Sequence, residues 1–366
     1  MKITVTRETL LPALQSASNV VERRSSTPIL ANVLMTSTGN QVHLVATDME
    51  VEVAISCSVE GSREGTTTLP AKKLLDICRS LPVDAVLQIE VSDAKARVQS
   101  GRSRFTLGTL PAAEFPAVGN FPPNSEFSVP AASLLELIVS TQFAMAHQDV
   151  RYYLNGLLME ISSSGLRAVA TDGHRLALSE RTLEIPLPAP VQLIVPRKGV
   201  QEIQRMLAHI DGDVMVAVSD NHLKVTTLAQ SITTKLIDGK FPDYQRVIPQ
   251  KGDRSVIADR EALKSAFGRT SILSNEKYRG VRLFLSNGLL RAAINNSEQE
   301  EAEEDVAVDY AGDELEIGFN VSYLLDVMGV LRSKLVKIEL SDANSSAVLF
   351  DPDDERTKYV IMPMRL

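Results

Sequence analysis

The sequence predicts an α+β protein made of three structurally repeated domains, each with two helices and antiparallel sheets. Three observations predict it. Asp48, Asp172 and Asn296 recur at equal intervals of 124 residues, inside the related stretches LVATDMEVEVAI, AVATDGHRLALS and AAINNSEQEEAE. The segments TPILANVLM, RYYLNGLLM and KYRGVRLFL come before them in the same order, leading to turns at Gly39, Gly165 and Gly288. The segments LPAKKLLDICRSL, VPRKGVQEIQRML and FNVSYLLDVMGVL come after, each a strand end running into an amphipathic helix, with Pro70, Pro196 and Asn320 aligned. A repeat of this kind changes what every motif inside it means.

Each element follows from local pattern. The three units open on a short strand, ITVT, EFSVP or RSVIA, and a helix with apolar residues at helical spacing: Leu10, Leu11 and Leu14; Leu134, Leu135 and Ile138; Leu263, Ala266 and Phe267. MEVEVAI alternates in period two, as a half-buried antiparallel strand should. SSG and SNG are hairpin signals. Two units close on TLGTLPAAEFP and TTKLIDGKFP, with Phe115 over Phe241, and the third on KYVIMPMRL. The links VGNFPPNSE and VIPQKGDRS place domain boundaries at 1–124, 125–249 and 250–366. Each unit is then about 120 residues with about eight strands, an ordinary domain size.

Bulk composition agrees with a folded chain: 366 residues, 44% hydrophobic and 23% charged. The start, MKITVTRETLLPALQ, has no basic region followed by an apolar run, and no apolar stretch is long enough to span a bilayer. A cytoplasmic protein without membrane contact is expected. Cys57 and Cys78 stand alone, without a CxxC or a Cys/His cluster, and are expected to be buried thiols in a reducing compartment.

ATDGHR at 170–175 has the look of an active site, since Asp172 and His174 could orient a general base and Arg175 could hold an anion. The repeat favours another reading. If Asp172 aligns with Asp48 and Asn296, it is a turn residue bonding its own backbone, inherited three times. No P-loop, GxGxxG, GxSxG or HExxH occurs, and the five histidines lie at no metal-ligand spacing. Neither a catalytic residue nor a metal or other cofactor is expected. The alternative, a hydrolase or transferase using Asp172 and His174, lacks a nucleophile or metal. Gly173, His174 and Arg175 replace MEV of the first copy, and they are either a satisfied strand histidine with its neighbours or a binding surface peculiar to the second domain.

A formal charge of −8 argues against an evenly basic protein. Basic residues nevertheless gather at the helices: Arg23 and Arg24, Lys72, Lys73 and Arg79, then Arg197, Lys198 and Arg205, and more thinly Lys264, Arg269, Arg332 and Lys334. Solvated helix faces look like this too, but related placement on five of the six helices suggests a common positive surface. SEQEEAEEDV puts six carboxylates where the other copies have strand, while ARVQSGRSRFTL in domain one is basic. One reading of such edge charges is that they only block aggregation. An acidic edge at one end and a basic edge at the other also suit a head-to-tail contact that closes into a ring or runs on as a filament.

Taken over the whole chain, SGRSRF, MAHQDVRYYLNG, ATDGHRLA, VPRKG, KFPDY, ILSNEKYRGVRL, QEEAEE, EIGFNVSYLLDV and YVIMPMRL resemble the bacterial DNA polymerase III β subunits, the sliding clamps. The resemblance implies DNA-clamp domains in a head-to-tail dimeric ring around double-stranded DNA, acting as the non-catalytic processivity factor of a polymerase holoenzyme that is itself a nucleotidyltransferase. It implies DNA contacts at Arg24, Gln148, Tyr152 and Tyr153, with His147, Lys72, Arg79, Arg197 and Lys198 at phosphates, although HQDVRYYLNG also reads as an aromatic strand start packing a core, which Tyr153 is expected partly to do. Lys72 stands where relatives often carry arginine, which keeps charge but loses bidentate geometry. Such contacts read no bases, so binding indifferent to DNA sequence is expected.

The same resemblance implies a pocket for short motifs of the polymerase III α subunit, the clamp-loader δ subunit, other polymerases and repair proteins. Its residues here are Leu154, Thr171, Gly173, His174, Arg175, Leu176, Pro242, Arg246, Val247, Ser346, Val360, Met362, Pro363, Met364 and Arg365. Met362 and Met364 suit a cleft that accepts several peptides. For the dimer seam it implies Arg102, Arg104 and Phe105 on one side, and Ile272, Leu273, Glu298, Glu300, Glu301, Glu303 and Glu304 on the other.

Overall fold

The computed structural model describes residues 1–22, 27–116, 121–249, 252–275 and 279–365. In the first repeat run β1 (Lys2–Thr6), α1 (Arg7–Val20), β2 (Asn32–Thr38), β3 (Gln41–Thr47), β4 (Val51–Ser58), β5 (Glu60–Arg63), β6 (Gly65–Pro70), α2 (Ala71–Ser80), β7 (Val86–Ser92), β8 (Lys95–Ser100) and β9 (Ser103–Gly108). The second holds β10 (Ser125–Pro130), α3 (Ala131–Thr141), β11 (Gly156–Ser162), β12 (Gly165–Thr171), β13 (Arg175–Thr182), β14 (Val191–Pro196), α4 (Arg197–Leu207), β15 (Asp213–Val218), β16 (His222–Thr226) and β17 (Gln230–Lys235). The third holds β18 (Arg254–Asp259), α5 (Arg260–Thr270), β19 (Gly280–Ser286), β20 (Leu289–Asn295), β21 (Glu301–Ala307), β22 (Leu315–Asn320), α6 (Val321–Val330), β23 (Leu335–Leu340), β24 (Ala347–Asp351) and β25 (Asp354–Ile361). Two helices per repeat match the expectation. The first repeat carries a ninth strand, the short β5, which pairs with β1.

Local chemistry sets the element ends. Thr6 caps α1 by accepting a hydrogen bond from the Thr9 N–H at 3.2 Å, and Asp259 caps α5 by accepting from Ala262 at 2.9 Å. The apolar stripe of α1 buries Leu10, Ala13, Leu14, Ala17 and Val20. In β4 buried and half-buried residues alternate along the strand. SEQEEAEEDV, despite its helix formers, supplies β21, because pairing with β20 fixes its backbone.

The chain divides into two compact units, Met1–Ala132 with Lys198–Leu236, and Ser133–Arg197 with Ile237–Leu366. The first holds the sheets β5-β1-β7-β8-β9 and β10-β15-β16-β17-β4-β3-β2-β6. The second holds β14-β11-β12-β13-β25-β24-β23-β18 and β21-β20-β19-β22. These units cut through the second repeat because sheets run on across repeat boundaries: β17 pairs with β4, and β25 pairs with β13.

Those two junctions obey one rule, in which the last strand of a repeat pairs antiparallel with the strand after the Asp turn of the repeat before it. The equivalent strands without such a neighbour are β9 and β21, each the outer strand of its own sheet. The register of the rule is fixed by a second repeat feature. Leu110, Ile237 and Met364, 127 residues apart, each meet the residue three before a helix, namely Thr68, Ile194 and Gly318. Among the described residues no helix is long and apolar enough to cross a membrane. Both cysteines are free and buried.

Candidate functional site

The Asp or Asn of the repeated motif is a turn residue in all three copies, Asp172 among them. Asp172 Oδ1 accepts from the N–H groups of His174 at 2.9 Å and Arg175 at 3.0 Å. Asp48 Oδ1 accepts from Glu50 and Val51 at 2.9 and 2.7 Å, and Asn296 Oδ1 accepts from Glu298 and Glu300 at 3.0 Å. Thr171 completes the second copy: its hydroxyl donates to the Arg175 carbonyl and accepts from the Gly173 N–H, as Thr47 does with Val51 and Met49. Gly173 sits at φ +90°, where its counterpart Met49 is at +79°. A side chain so committed to backbone cannot orient a general base on His174, and that role is withdrawn from Asp172.

The turn instead places His174 at a cleft. The chain beyond β25 continues alongside it, Met362 donating its N–H to the His174 carbonyl at 3.0 Å and Met364 donating to Gly318 at 2.8 Å. A cleft of about 360 Å³ is lined there by His174, Asn320, Tyr323, Met362, Pro363, Met364 and Arg365. Leu176 and Val360 belong to an adjoining apolar cluster with Leu158, Val169, Leu178, Ile194 and Tyr244, which Tyr153, Ile237, Phe241 and Ile248 border from partly open positions. Leu154, Leu176 and Val360 are buried to within 2%, and Leu154 belongs neither to the cleft lining nor to this cluster. Thr171, Gly173, Val247 and Ser346 are half-buried, and Pro242 and Arg246 are exposed, with Arg246 paired to Asp243 at 2.8 Å. Arg175 turns inward, away from the role of an open anion holder.

Asn320 and Tyr323 line this cleft as well, beyond the residues that the sequence assigns to it. Asn320 is the N-cap of α6 and accepts from Ser322 at 2.9 Å. Its signal was present, since asparagine stands where the other copies have Pro70 and Pro196.

The predicted DNA contacts fall into two kinds. His147, Gln148 and Tyr152 are exposed on the segment before β11, with Gln148 in left-handed backbone at φ +53°. Tyr152 meets Tyr153 edge to face at 5.8 Å, and Tyr153 leans into the apolar cluster. The segment is tied at its base, where Asp149 and Asn155 exchange hydrogen bonds of 2.9 Å and Arg151 grips Asp149 at 3.0 and 2.9 Å. That guanidinium holds the Asp149 carboxyl down to about 2. Lys72 and Arg79 are exposed on α2.

The second kind is already engaged within the chain. Arg197 donates to the carbonyls of Met145 and Ala146 at 2.6 and 3.0 Å, and burial pulls its pKa down. Lys198 donates to the Val20 carbonyl at 2.9 Å and pairs with Asp48. Arg24 lies outside the described residues.

At the expected seam, Arg102 and Arg104 are exposed and Phe105 is half-buried on β9. Ile272 is 77% exposed and Leu273 half-buried in the turn Ser271–Leu273. Along β21, Glu301, Glu303 and Asp305 are exposed while Glu304 turns to α5, where Arg269 holds it at 2.6 and 2.8 Å. Glu298 and Glu300 are exposed in the turn before it.

Three consecutive copies of one α+β unit, with sheets that run on from one copy into the next, are the architecture of a DNA clamp. Residues 1–119, 128–243 and 245–365 match in turn the N-terminal, central and C-terminal domains of the DNA polymerase III beta subunit. The chain is 53% identical to the beta sliding clamp of Pseudomonas aeruginosa and 47% identical to that of Escherichia coli, each over the full length of both proteins. A crystal structure of the Pseudomonas aeruginosa subunit superposes with a TM-score of 0.96 at 52% identity, again covering all of both chains. A further structure from that organism, bound to griselimycin, gives 0.97. The chain belongs to the DNA polymerase III β subunit family, the bacterial sliding clamps. It is a non-catalytic processivity subunit, and its partners are DNA and the polymerase.

Proposed function

We propose that two copies of this chain close head to tail into a ring through β9 of one and β21 of the other. The observation that carries this is the pairing rule of the fold. Phe105, Ile232 and Tyr359 each lie five residues before Leu110, Ile237 and Met364, and within the chain Ile232 pairs with Val53 and Tyr359 with Ala177. Ala302 is the third-copy equivalent of Val53 and Ala177, since each pairs with the residue two before its turn Asp or Asn. The rule therefore sets Phe105 opposite Ala302 and Arg104 opposite Glu303, with Arg102 beyond them toward Asp305. Apolar residues then meet on one face and opposite charges on the other, as a stable antiparallel pair requires. Ile272 supplies exposed apolar surface and Leu273 half-buried apolar surface on the turn after α5.

The repeats 1–124, 125–249 and 250–366 act as the three units of each half-ring. DNA is held without base readout by Lys72, Arg79, His147, Gln148 and Tyr152, with Arg24 as a further contact, whereas Arg197 and Lys198 are engaged by groups of the chain and Tyr153 by the apolar cluster. The cleft at His174 and Met362 and the apolar cluster beside it take short motifs of the polymerase α subunit, the clamp-loader δ subunit, other polymerases and repair proteins, in the cytoplasm. Light scattering tests the ring: a mass of two chains is expected for the wild type and of one chain for Ile272→Ala with Leu273→Ala. A wild type that stays a single chain at micromolar concentration would remove the ring from this reading.

A further inference from the structure

We propose that Arg175 is a positioning residue that holds one wall of the peptide cleft in place, rather than a ligand of the peptide, and that Asp326 and Phe143 share this role. The inference rests on the cleft reading above. The Arg175 side chain is 12% exposed. Each of its three guanidinium nitrogens already has an acceptor in the chain: Nε donates to Asp172 Oδ2 at 3.1 Å, Nη1 to Asp326, and Nη2 to the Phe143 carbonyl at 2.8 Å. The flat cation also lies over two rings, 4.4 Å from the centroid of Tyr323 and 5.2 Å from that of Phe143.

The wall in question is Tyr323. It lines the cleft with His174 and Met362, yet it stands on α6, whereas His174 belongs to the turn before β13. Asp172 joins the two halves: one oxygen caps the turn that presents His174 and the other orients the guanidinium that Tyr323 stacks on. Arg175 thus sets the distance between a histidine fixed by backbone and a tyrosine fixed by stacking. Lysine cannot replace it, because a point charge offers neither the planar face nor three donors in one fork. Asp326 anchors the far side of that fork and does not itself line the cleft.

The test measures binding of a fluorescently labelled clamp-binding peptide of the polymerase α subunit, with griselimycin as second probe, to the full chain and to Arg175→Lys, Asp326→Asn and the double variant. A loss of about tenfold is expected in each single variant, with little added in the double, because coupled residues do not lose affinity independently. The melting temperature of Asp326→Asn is expected to stay at the wild-type value, which separates positioning from a fold defect. Wild-type affinity in Asp326→Asn, or losses that simply multiply in the double variant, would overturn the role. So would an Arg175→Lys loss that vanishes once the acidic residues of the peptide are neutralised, since that marks a direct ligand. Tyr323→Ala keeps the two readings apart: if it binds both probes as the wild type does, the cleft reading fails as well, and if it loses them while Asp326→Asn does not, only the positioning role fails.

Discussion

Gly173 lies under the guanidinium of Arg151: a Cβ built on that glycine would stand 3.0 Å from both Nη1 and Nη2. The same guanidinium reaches the Asp172 carbonyl at 3.2 Å, so the segment carrying His147, Gln148 and Tyr152 is fastened to the turn that presents His174. The long arginine can swing aside, but the backbone at φ +90° cannot relax without breaking the turn. Gly173→Ala is therefore expected to lower stability by about 1–2 kcal/mol through backbone strain. Thermal unfolding checks this, and peptide affinity should fall in the same variant because the His174 carbonyl moves with the turn.

The proposed seam register makes a pairwise prediction. Arg104→Glu and Glu303→Arg should each weaken the dimer by about 1 kcal/mol, by setting like charges directly opposite, and the two together should restore it. Sedimentation across a dilution series reads the dimer constant. If the doubly reversed chain associates no better than either single variant, the two residues do not face each other and the register is wrong.

Much of this molecule was legible in the sequence, for a physical reason. Asp48, Asp172 and Asn296 recur because each bonds backbone two to four residues on, a local demand that spacing reports directly. The pairing of β17 with β4 and of β25 with β13 was not legible, since it joins residues more than 170 positions apart with no local signal. Charge placement was half legible. Lys72 and Lys198 look alike as basic residues at the start of equivalent helices, yet only the fold brings Asp48 and the Val20 carbonyl to Lys198. Glu304 likewise reads as one of a row, until alternation along β21 turns it to Arg269.

Glu202 gives the chain a pH signature. It is 5% exposed, and burial raises its carboxyl pKa against the pull of Arg205 and Lys198. A carboxylate whose folded pKa lies above its unfolded value binds a proton first in the native state, so stability rises as pH falls through that folded value and stops rising near the unfolded one. Between neutral pH and the ordinary carboxylate range, urea unfolding should thus show a stability gain on acidification that is missing in Glu202→Gln. Equal slopes in the two proteins would show that the burial is compensated by its cationic neighbours.

Lys72 and Lys198 should separate when DNA binding is measured against salt. Each phosphate neutralised contributes a slope of about −0.9 in log affinity against log salt. Lys72 is exposed on α2, so Lys72→Ala should make the slope shallower by about 1 while leaving unfolding unchanged. Lys198 is engaged with Asp48 and the Val20 carbonyl, and its removal leaves an acceptor and a carboxylate without their donor. Lys198→Ala should lower stability by about 1–3 kcal/mol, with little change in the salt slope. Anisotropy titrations of a short duplex between about 50 and 200 mM salt resolve the two. A slope change for Lys198→Ala as large as that for Lys72→Ala would mean that DNA draws the ammonium away from Asp48, and that the contact seen in the free protein is given up on binding.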